Sequence, residues 1–351
     1  MSFASDNTAP VAPEIMAAIQ AANHGPASSY GADALTERLT ALAREVFETD
    51  LAIFPVSTGT AANGLALSAL SPPFGAVYCH ETAHILLEEC GAPEFYTGGA
   101  KLIGLPGAAG KLDAERLVEA LGLAAEAGVH HASPAAISLT QATEWGTVYR
   151  PDEVQALADL ARARGLRLHM DGARLANAVA RLGCSPAELT WRAGVDVVSL
   201  GATKNGALAA EAVVVFDPAL AAGLAERRKR AGHLLSKMRF LSAQLIAMLE
   251  QGRWLGYAAH ANAMADRLAA GLGALPGVRP VQPIEANELF LAMPEAMIAG
   301  LRADGFAFHR WLVPPGETGP VVRLVTSFAT RPEEVDVLVA AATRLAAQGF
   351  G

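Results

Sequence analysis

The sequence of 351 residues has few cysteines and no long apolar run, and each shortage excludes a class of protein. Cys79, Cys90 and Cys184 are far apart, which favours reduced thiols in core or incidental positions over a disulfide framework or a zinc knuckle. No segment supplies the roughly 20 uninterrupted apolar residues of a membrane-spanning helix. The first residues also lack a basic segment followed by an apolar one. We therefore expect a cytoplasmic protein without a membrane segment.

Basic residues are not concentrated in any long tract. The formal net charge is -8, and the basic cluster at residues 226–230 stands alone. A nucleic-acid partner is therefore disfavoured, and small or acidic soluble partners fit better. A nicotinamide-dinucleotide enzyme is disfavoured as well, because no G-x-G-x-x-G follows a strand-like run.

Short β-rich runs alternate with longer Ala/Leu-rich segments of helical period, which predicts an α/β fold with a mainly parallel sheet. The predicted strands are residues 76–80, 135–141, 166–171, 196–200 and 211–216. Residues 151–165 begin with proline and acids and end with arginine and glycine, as a helix does. A long helical stretch at 233–255 then leads into smaller alternating strands and helices. We expect a large domain over 16–250 and a small α+β domain over 251–351.

Polar residues directly follow several of these predicted strands, where ligands of open α/β sheets bind. Asp171 ends one strand, and Lys204 follows the next. If the two strands are parallel neighbours, a carboxylate and an amine converge on one crevice. Residues 57–60, STGT, precede an Ala/Leu-rich helix whose free N–H groups can bind an anion. Each feature alone could be a surface lysine, a turn or a simple cap, but the ordered set predicts a site for a phosphorylated cofactor.

A rival class of site is offered by His80, Glu81 and His84, which match the H-E-x-x-H pattern of zinc peptidases. That reading needs both histidines on one helix. His80 follows directly on a strand-like run, and no third ligand follows at the usual spacing. We keep a zinc metallopeptidase as the disfavoured alternative and expect no metal in the site.

The segments STGTAAN, HETAH, HMDGARLANA, GATKNG and VVRLVTS, in that order, resemble the threonine aldolase family. TQATEWGTVYRPDE and SKMRFLSA resemble its low-specificity L-threonine and phenylserine aldolases more than the shorter enteric form. The resemblance implies a pyridoxal-phosphate enzyme of fold type I, the aspartate aminotransferase fold. It implies cleavage of L-threonine, L-allo-threonine and related L-β-hydroxy-α-amino acids, such as phenylserine, to glycine and an aldehyde. A β-eliminating lyase or an amino-acid racemase of the same fold is the alternative.

The resemblance also implies roles for individual residues in binding pyridoxal 5'-phosphate. Lys204 would attach it covalently as a Schiff base, and Asp171 would lie beside the pyridine nitrogen. His84 would stack on the pyridine face near the substrate's β-hydroxyl and is a candidate for accepting its proton, directly or through water. Gly59 and Thr60 would bind the phosphate.

The same resemblance implies residues that contact the substrate. Arg174, which is also expected at the cofactor, and Arg323 would bind the substrate carboxylate, because a guanidinium offers paired donors. Ser5, in an N-terminal arm over residues 1–15, would add a hydroxyl to that carboxylate. His130 matches a second histidine near the β-hydroxyl.

Further candidates follow from departures from the family pattern. Gln141 and Glu144 are candidates for contacts with the cofactor oxygen and the hydroxyl. Lys229 and Arg239 could reach the phosphate of a neighbouring subunit. Trp145 could line the pocket, whereas Phe95 is expected to pack in the core. Because sites of this family are completed across subunits, we expect a homodimer or a homotetramer.

Overall fold

The computed structural model describes residues 1–314 and 316–348, which form two sheets surrounded by helices. The helices are α1 (Pro13–Ala22), α2 (Ala34–Phe47), α3 (Gly59–Leu70), α4 (His84–Leu87), α5 (Ala92–Thr97), α6 (Ala114–Ala127), α7 (Pro151–Ala163), α8 (Leu175–Leu182), α9 (Pro186–Leu189), α10 (Pro218–Ala221), α11 (Leu224–Arg230), α12 (Arg239–Leu249), α13 (Arg253–Gly273), α14 (Glu295–Ala303) and α15 (Pro332–Ala347). The strands are β1 (Ala52–Val56), β2 (Gly75–His80), β3 (Lys101–Leu105), β4 (Ser133–Thr140), β5 (Arg167–Gly172), β6 (Val197–Leu200), β7 (Glu211–Val215), β8 (Arg279–Pro280), β9 (Glu288–Ala292), β10 (His309–Trp311) and β11 (Val321–Val325).

The larger sheet has the strand order β1-β7-β6-β5-β4-β2-β3. From β6 to β3 all neighbours are parallel, whereas β7 runs antiparallel to both β6 and β1. Every residue of β6 and β7 is buried, as expected for strands covered on both faces. The predicted α/β fold with a mainly parallel sheet is confirmed, and all five predicted strands are present.

The two edge strands of this sheet were not among the predicted strands. β1 contains Pro55 and pairs only with β7. Proline has no N–H to donate, and an edge strand tolerates this because it has a partner on one side only. β3, at the opposite edge, exposes Lys101 and Gly104. A proline within β1 argues against a central strand, and β3 begins with an exposed lysine and is interrupted by a glycine, which explains why the sequence pattern missed them.

The second sheet is antiparallel, with the order β10-β11-β9-β8. Its apolar core gathers residues from α13, α14 and α15 together with Phe3. The backbone N–H of Phe3 donates to Ala307, and Val325 donates to the carbonyl of Phe3. The first residues of the chain are therefore fixed to the C-terminal sheet, and Ser5 lies only two residues after this point of attachment.

The long helical stretch predicted at 233–255 begins later in the structure and is broken once. Helix α12 begins only at Arg239, and the left-handed φ angles of Gln251 (57°) and Gly252 (67°) separate it from α13. The helix predicted at 151–165 is α7. Residues 315 and 349–351 of the predicted small domain lie outside the described residues.

Among the described helices, none is long and apolar enough to cross a membrane.

The carboxyl ends of β5 and β6 approach each other closely at two glycines. The N–H of Gly201 donates to the carbonyl of Gly172 at 3.1 Å. A Cβ on Gly201 would lie 2.4 Å from the carbonyl oxygen of Ala173, and one on Gly172 would lie 2.8 Å from that of Ser199. Both clashes involve backbone atoms, so these positions accept only glycine without a shift of the chain.

We predict that Gly201→Ala destabilises the protein by about 1–3 kcal/mol, because the new methyl group must displace backbone. The matched control is Gly256→Ala in α13, where a Cβ meets nothing within 4 Å. That substitution should stabilise the helix by up to about 1 kcal/mol. Denaturant unfolding of both variants measures the difference, and equal effects would contradict the close approach.

Candidate active site

A cleft of about 880 Å³ lies where the carboxyl ends of β4, β5 and β6 meet the start of α3 and the small sheet. The residues predicted from sequence that line it include Ser5, Gly59, Thr60, His84, Asp171, Arg174, Lys204 and Arg323. These side chains come from widely separated parts of the chain, and the topology of the large sheet brings them together. The cleft is therefore the candidate active site.

Asp171 is buried at the end of β5 and is held by two donors. Its Oδ2 accepts from Asn63 Nδ2 at 2.8 Å, and its Oδ1 accepts from the N–H of Ala173 at 3.1 Å. Asn63 belongs to α3, so the helix that opens the anion site also fixes this carboxylate. The two hydrogen bonds fix the orientation of the Asp171 carboxyl group at the edge of the cleft.

Lys204 lies in a short 3-10 turn just after β6, and its neighbours anchor that turn from two sides. Glu211, at the start of β7, accepts from the N–H groups of Ala202 at 2.6 Å and Thr203 at 3.4 Å. On the other side, Asn205 Nδ2 donates to the carbonyl of Trp254 at 2.8 Å. The small uncharged residues around Lys204 thus form a tightly held loop that presents one amine to the cleft.

The start of α3 supplies the predicted anion site. The Thr58 hydroxyl caps the helix by accepting from the N–H of Ala61 at 3.1 Å, so it is already occupied. The first N–H groups of a helix have no acceptor within the helix, which leaves those of Gly59 and Thr60 for a ligand. A Cβ on Gly59 would meet nothing within 4 Å, so open space lies beside it.

The buried carboxylates of Asp6 and Glu288 lie beside the two arginines of the cleft. Arg174 donates from Nε and Nη2 to Asp6 at 2.8 and 3.0 Å, and its Nη1 lies 3.1 Å from Glu288 Oε2. Burial alone would raise the pKa of Asp6, but Arg174 and Lys204 hold it below its ordinary value. Arg323 donates to the carbonyl of Ala4 at 3.2 Å and lies 4.3 Å from the centre of the Trp311 ring.

His84 begins α4 and contacts two acidic side chains. Its Nδ1 lies 2.8 Å from Glu89 Oε1, and its backbone N–H donates to Glu144 Oε1 at 2.8 Å. The Thr140 hydroxyl donates to the same oxygen of Glu144 at 2.7 Å. Burial raises the pKa of Glu144 to about 7, despite these two hydrogen bonds.

His84, Glu89 and Asp171 also offer ligand atoms within 4.8 Å of one another, a spacing that could hold a metal ion. Asn63, however, donates to both Glu89 Oε1 and Asp171 Oδ2 at 2.8 Å. The two carboxylates are thus bridged by an amide. We assign this cluster to hydrogen bonding around His84.

The zinc-peptidase alternative fails on geometry. His80 is the last residue of β2 and His84 the first of α4, so the two histidines do not share a helix. The ring of His80 is already engaged at both nitrogens, by Thr82 Oγ1 at 2.7 Å and the carbonyl of Gly107 at 3.0 Å.

His130 does not lie in this cleft, contrary to the expected contact with substrate. It is exposed in a 3-10 turn that precedes β4, at the end of the sheet opposite the carboxyl ends. Gln141 does not line the cleft either, because both its amide atoms bind the backbone of Tyr149. Glu144 does line it.

Of the remaining candidates, one lines the cleft and three do not. Trp145 lines the cleft and packs against Phe290, with ring centres 5.1 Å apart. Phe95 is 81% exposed, so the expected core position is wrong for this chain. Lys229 lies over the Tyr30 ring, and Arg239 donates to the carbonyl of Gly25. Both lie outside the residues lining the cleft.

Five important residues of the site escaped sequence reasoning, namely Asp6, Asn63, Glu89, Glu211 and Glu288. Two of them stand in segments that drew attention for other reasons, Asp6 beside Ser5 and Asn63 at the end of STGTAAN. A signal did exist for Asn63, because it is a buried amide within an otherwise Ala/Leu-rich helix. Glu211 and Glu288 begin strands, where the pattern gives no reason to expect a buried carboxylate.

Comparison with known proteins defines the class of fold first. A structure of SPT with PLP has a TM-score of 0.73 at 15% identity and covers 99% of this chain and 88% of that one, which is a likeness of fold. A threonine aldolase from Leishmania major has a TM-score of 0.92 at 29% identity, over 98% and 99% of the two chains. The expected type I fold of pyridoxal-phosphate enzymes is confirmed.

The sequence comparisons define the family. The β-eliminating lyase family matches residues 2–295. A low specificity L-threonine aldolase from Pseudomonas aeruginosa is 46% identical over 333 residues, 95% of this chain and 94% of the relative. The chain therefore belongs to the β-eliminating lyase family and, within it, to the low-specificity L-threonine aldolases. The family resemblance inferred from the sequence motifs is confirmed.

The burial of Glu144 leads to a pH-dependent prediction. Because its pKa is raised from 4.5 to about 7, its contribution to stability is present below its unfolded pKa and is lost as the pH rises through the folded value. Glu144→Gln keeps an acceptor but does not titrate. From pH 5 to pH 8, wild type should therefore lose on the order of 1–3 kcal/mol relative to this variant.

Denaturant unfolding at both pH values measures this difference. Glu45→Gln, which alters an exposed carboxylate on α2, serves as the control and should show no such change. An offset between wild type and Glu144→Gln that is the same at pH 5 and pH 8 would contradict the raised pKa.

Proposed function

We propose that this protein is a pyridoxal-phosphate-dependent aldolase. It cleaves L-threonine, L-allo-threonine and related L-β-hydroxy-α-amino acids, such as phenylserine, to glycine and an aldehyde. The observation that carries the proposal is the placement of Lys204 and Asp171 on neighbouring strand ends in one cleft with Arg323. The name of the Pseudomonas relative supports the reaction.

The residues of the cleft fit pyridoxal phosphate. Gly59 and Thr60 offer N–H groups beside open space for the phosphate, and Asp171 offers a fixed carboxylate for the pyridine nitrogen. Lys204 offers the amine for covalent attachment. When bound, the cofactor supplies the electron sink that stabilises the carbanion left at Cα.

Arg323 is the freer of the two arginines for the substrate carboxylate. The donors of Arg174 face Asp6 and Glu288, whereas Arg323 Nε has no partner in the described part of the chain. A carboxylate held by a guanidinium fixes the orientation of the amino acid. This orientation selects the Cα–Cβ bond of the substrate for cleavage. The bond to be broken must lie perpendicular to the plane of the cofactor's pyridine ring.

We assign to His84 the acceptance of the proton of the substrate's β-hydroxyl, which starts the cleavage. Its side chain is 42% exposed, and it lines the cleft. The hydrogen bond that the His84 ring donates to Glu89 raises the pKa of His84 above its ordinary value, against the opposing effect of burial. Its ring therefore accepts a proton more readily than a free histidine.

The test of the function is product analysis with L-threonine, L-allo-threonine and phenylserine. The proposal predicts glycine and the matching aldehyde in equal amounts. β-Elimination, which the family description suggests as the second candidate, would instead release ammonia and a keto acid, and racemisation would give the mirror-image amino acid. Either of those as main products would replace the aldolase proposal.

The role of Arg323 can be tested by substitution. We predict that Arg323→Ala raises the KM for L-threonine about 10- to 100-fold, because hydrogen bonds to charged groups contribute about 1.5–3 kcal/mol. The control is Arg344→Ala, which removes an exposed arginine paired with Asp304 on the surface. Steady-state kinetics of both variants provide the readout, and an unchanged KM in Arg323→Ala would oppose this assignment.

We further propose a cytoplasmic homodimer or homotetramer without nucleic-acid or membrane partners. The free thiols of all three cysteines support the location, and the net charge of -8 supports the absence of nucleic acid. Sedimentation of the active protein tests the assembly: we expect a dimer or a tetramer. A fully active monomer would contradict it.

A further inference from the structure

We propose that Glu89 is a positioning residue, which holds the His84 ring by Nδ1 and ties it through Asn63 to Asp171. The inference extends the role proposed above for His84. The resemblance to the threonine aldolase family implies no role for Glu89 or Asn63. Both residues line the cleft.

The contact between Glu89 and His84 joins a buried carboxylate to a partly exposed ring. Glu89 Oε1 lies 2.8 Å from His84 Nδ1, and the exposed fractions of the two side chains are 0% and 42%. A carboxylate oxygen can only accept, so Nδ1 must carry the proton of this hydrogen bond. Nε2 is then left without a proton in the neutral ring and is the atom able to accept one in the cleft.

Asn63 joins the two buried carboxylates of the network. Its Nδ2 donates to Glu89 Oε1 and to Asp171 Oδ2, each at 2.8 Å, and the residue is 2% exposed. The two hydrogens of one amide thus satisfy one oxygen of each carboxylate. Asp171, Asn63, Glu89 and His84 consequently form one continuous chain of hydrogen bonds.

The backbone after Glu89 is shaped to keep this arrangement. Cys90 and Gly91 have φ angles of 52° and 74°, and both are left-handed. Such a conformation is unfavourable for a residue with a side chain such as Cys90, and it persists where the surroundings demand it. The turn closes with a hydrogen bond from Ala92 to the carbonyl of Glu89 at 2.9 Å and leads into α5, which packs on α3.

Burial and the charged groups around His84 act on its pKa in opposite directions. Glu89 and Asp171 favour the protonated ring, whereas burial and Lys204 disfavour it. Glu144 faces the backbone N–H of His84 rather than its ring. Glu89 alone among these groups makes a hydrogen bond to the ring, so its carboxylate should dominate both the tautomer and the proton affinity.

The first experiment uses the wild-type full chain saturated with pyridoxal phosphate and labelled with ¹⁵N and ¹³C at histidine. The signal of His84 is identified by its loss in His84→Asn. We expect the neutral ring to carry its proton on Nδ1, the opposite of the form that free histidine prefers. A proton on Nε2 would overturn the proposal without reference to any variant.

The second experiment follows the His84 signal through a pH titration in Glu89→Gln, with Glu89→Asp and Glu88→Gln beside it. Glu88→Gln removes the same charge from the exposed neighbouring residue. We expect the pKa of His84 to fall by about one unit in Glu89→Gln. Glu89→Asp should give a smaller fall, and Glu88→Gln should leave the value close to wild type.

Kinetics separate this proposal from the proposed function. If the protein is an aldolase, the pH profile of kcat/KM should move with the pKa of His84 in Glu89→Gln. Equal pKa values in Glu89→Gln and wild type would overturn the positioning role even if aldol cleavage is observed. A protein without aldolase activity would still support the positioning role if its NMR titrations show the expected fall.

Discussion

The close approach of β5 and β6 at their carboxyl ends is the constraint on which the site depends. Gly172 and Gly201 leave no room for a side chain between the two segments, so Asp171 and the Lys204 loop are held side by side. The hydrogen bond between the two glycines and the anchoring of Ala202 by Glu211 make this placement rigid. The loop that carries Lys204 therefore begins with a glycine for a steric reason, since a Cβ on Gly201 would lie 2.4 Å from the carbonyl oxygen of Ala173.

Buried charged groups of the cleft have ionic or hydrogen-bonding partners, because an isolated buried charge is costly. Arg174 lies between Asp6 and Glu288, and Asn63 bridges Asp171 and Glu89. These contacts join the N-terminal segment, α3, β5 and the small sheet. Site and fold are thus mutually dependent, since removing one member leaves its partner buried without compensation.

The sequence predicted the layout of the central sheet well and the edges poorly. Short β-rich runs marked β2 and β4 to β7, and the position of Asp171 and Lys204 after two of these runs located the site. Pro55 and Lys101 disguised the edge strands. Residues that neutralise other residues, such as Asp6, Glu89 and Glu288, could not be predicted because their role depends on contacts between distant segments. His130 shows the converse, since a histidine that fits a motif lies away from the cleft.

The central claim is that Lys204 is the amine that binds the cofactor, and covalent trapping tests it most directly. The full chain is saturated with pyridoxal phosphate, treated with borohydride to make the bond between lysine and cofactor permanent, digested, and mapped by mass spectrometry. The sequence contains five lysines, Lys101, Lys111, Lys204, Lys229 and Lys237. The account predicts one adduct, on Lys204. An adduct on another lysine, or none at all, would contradict it.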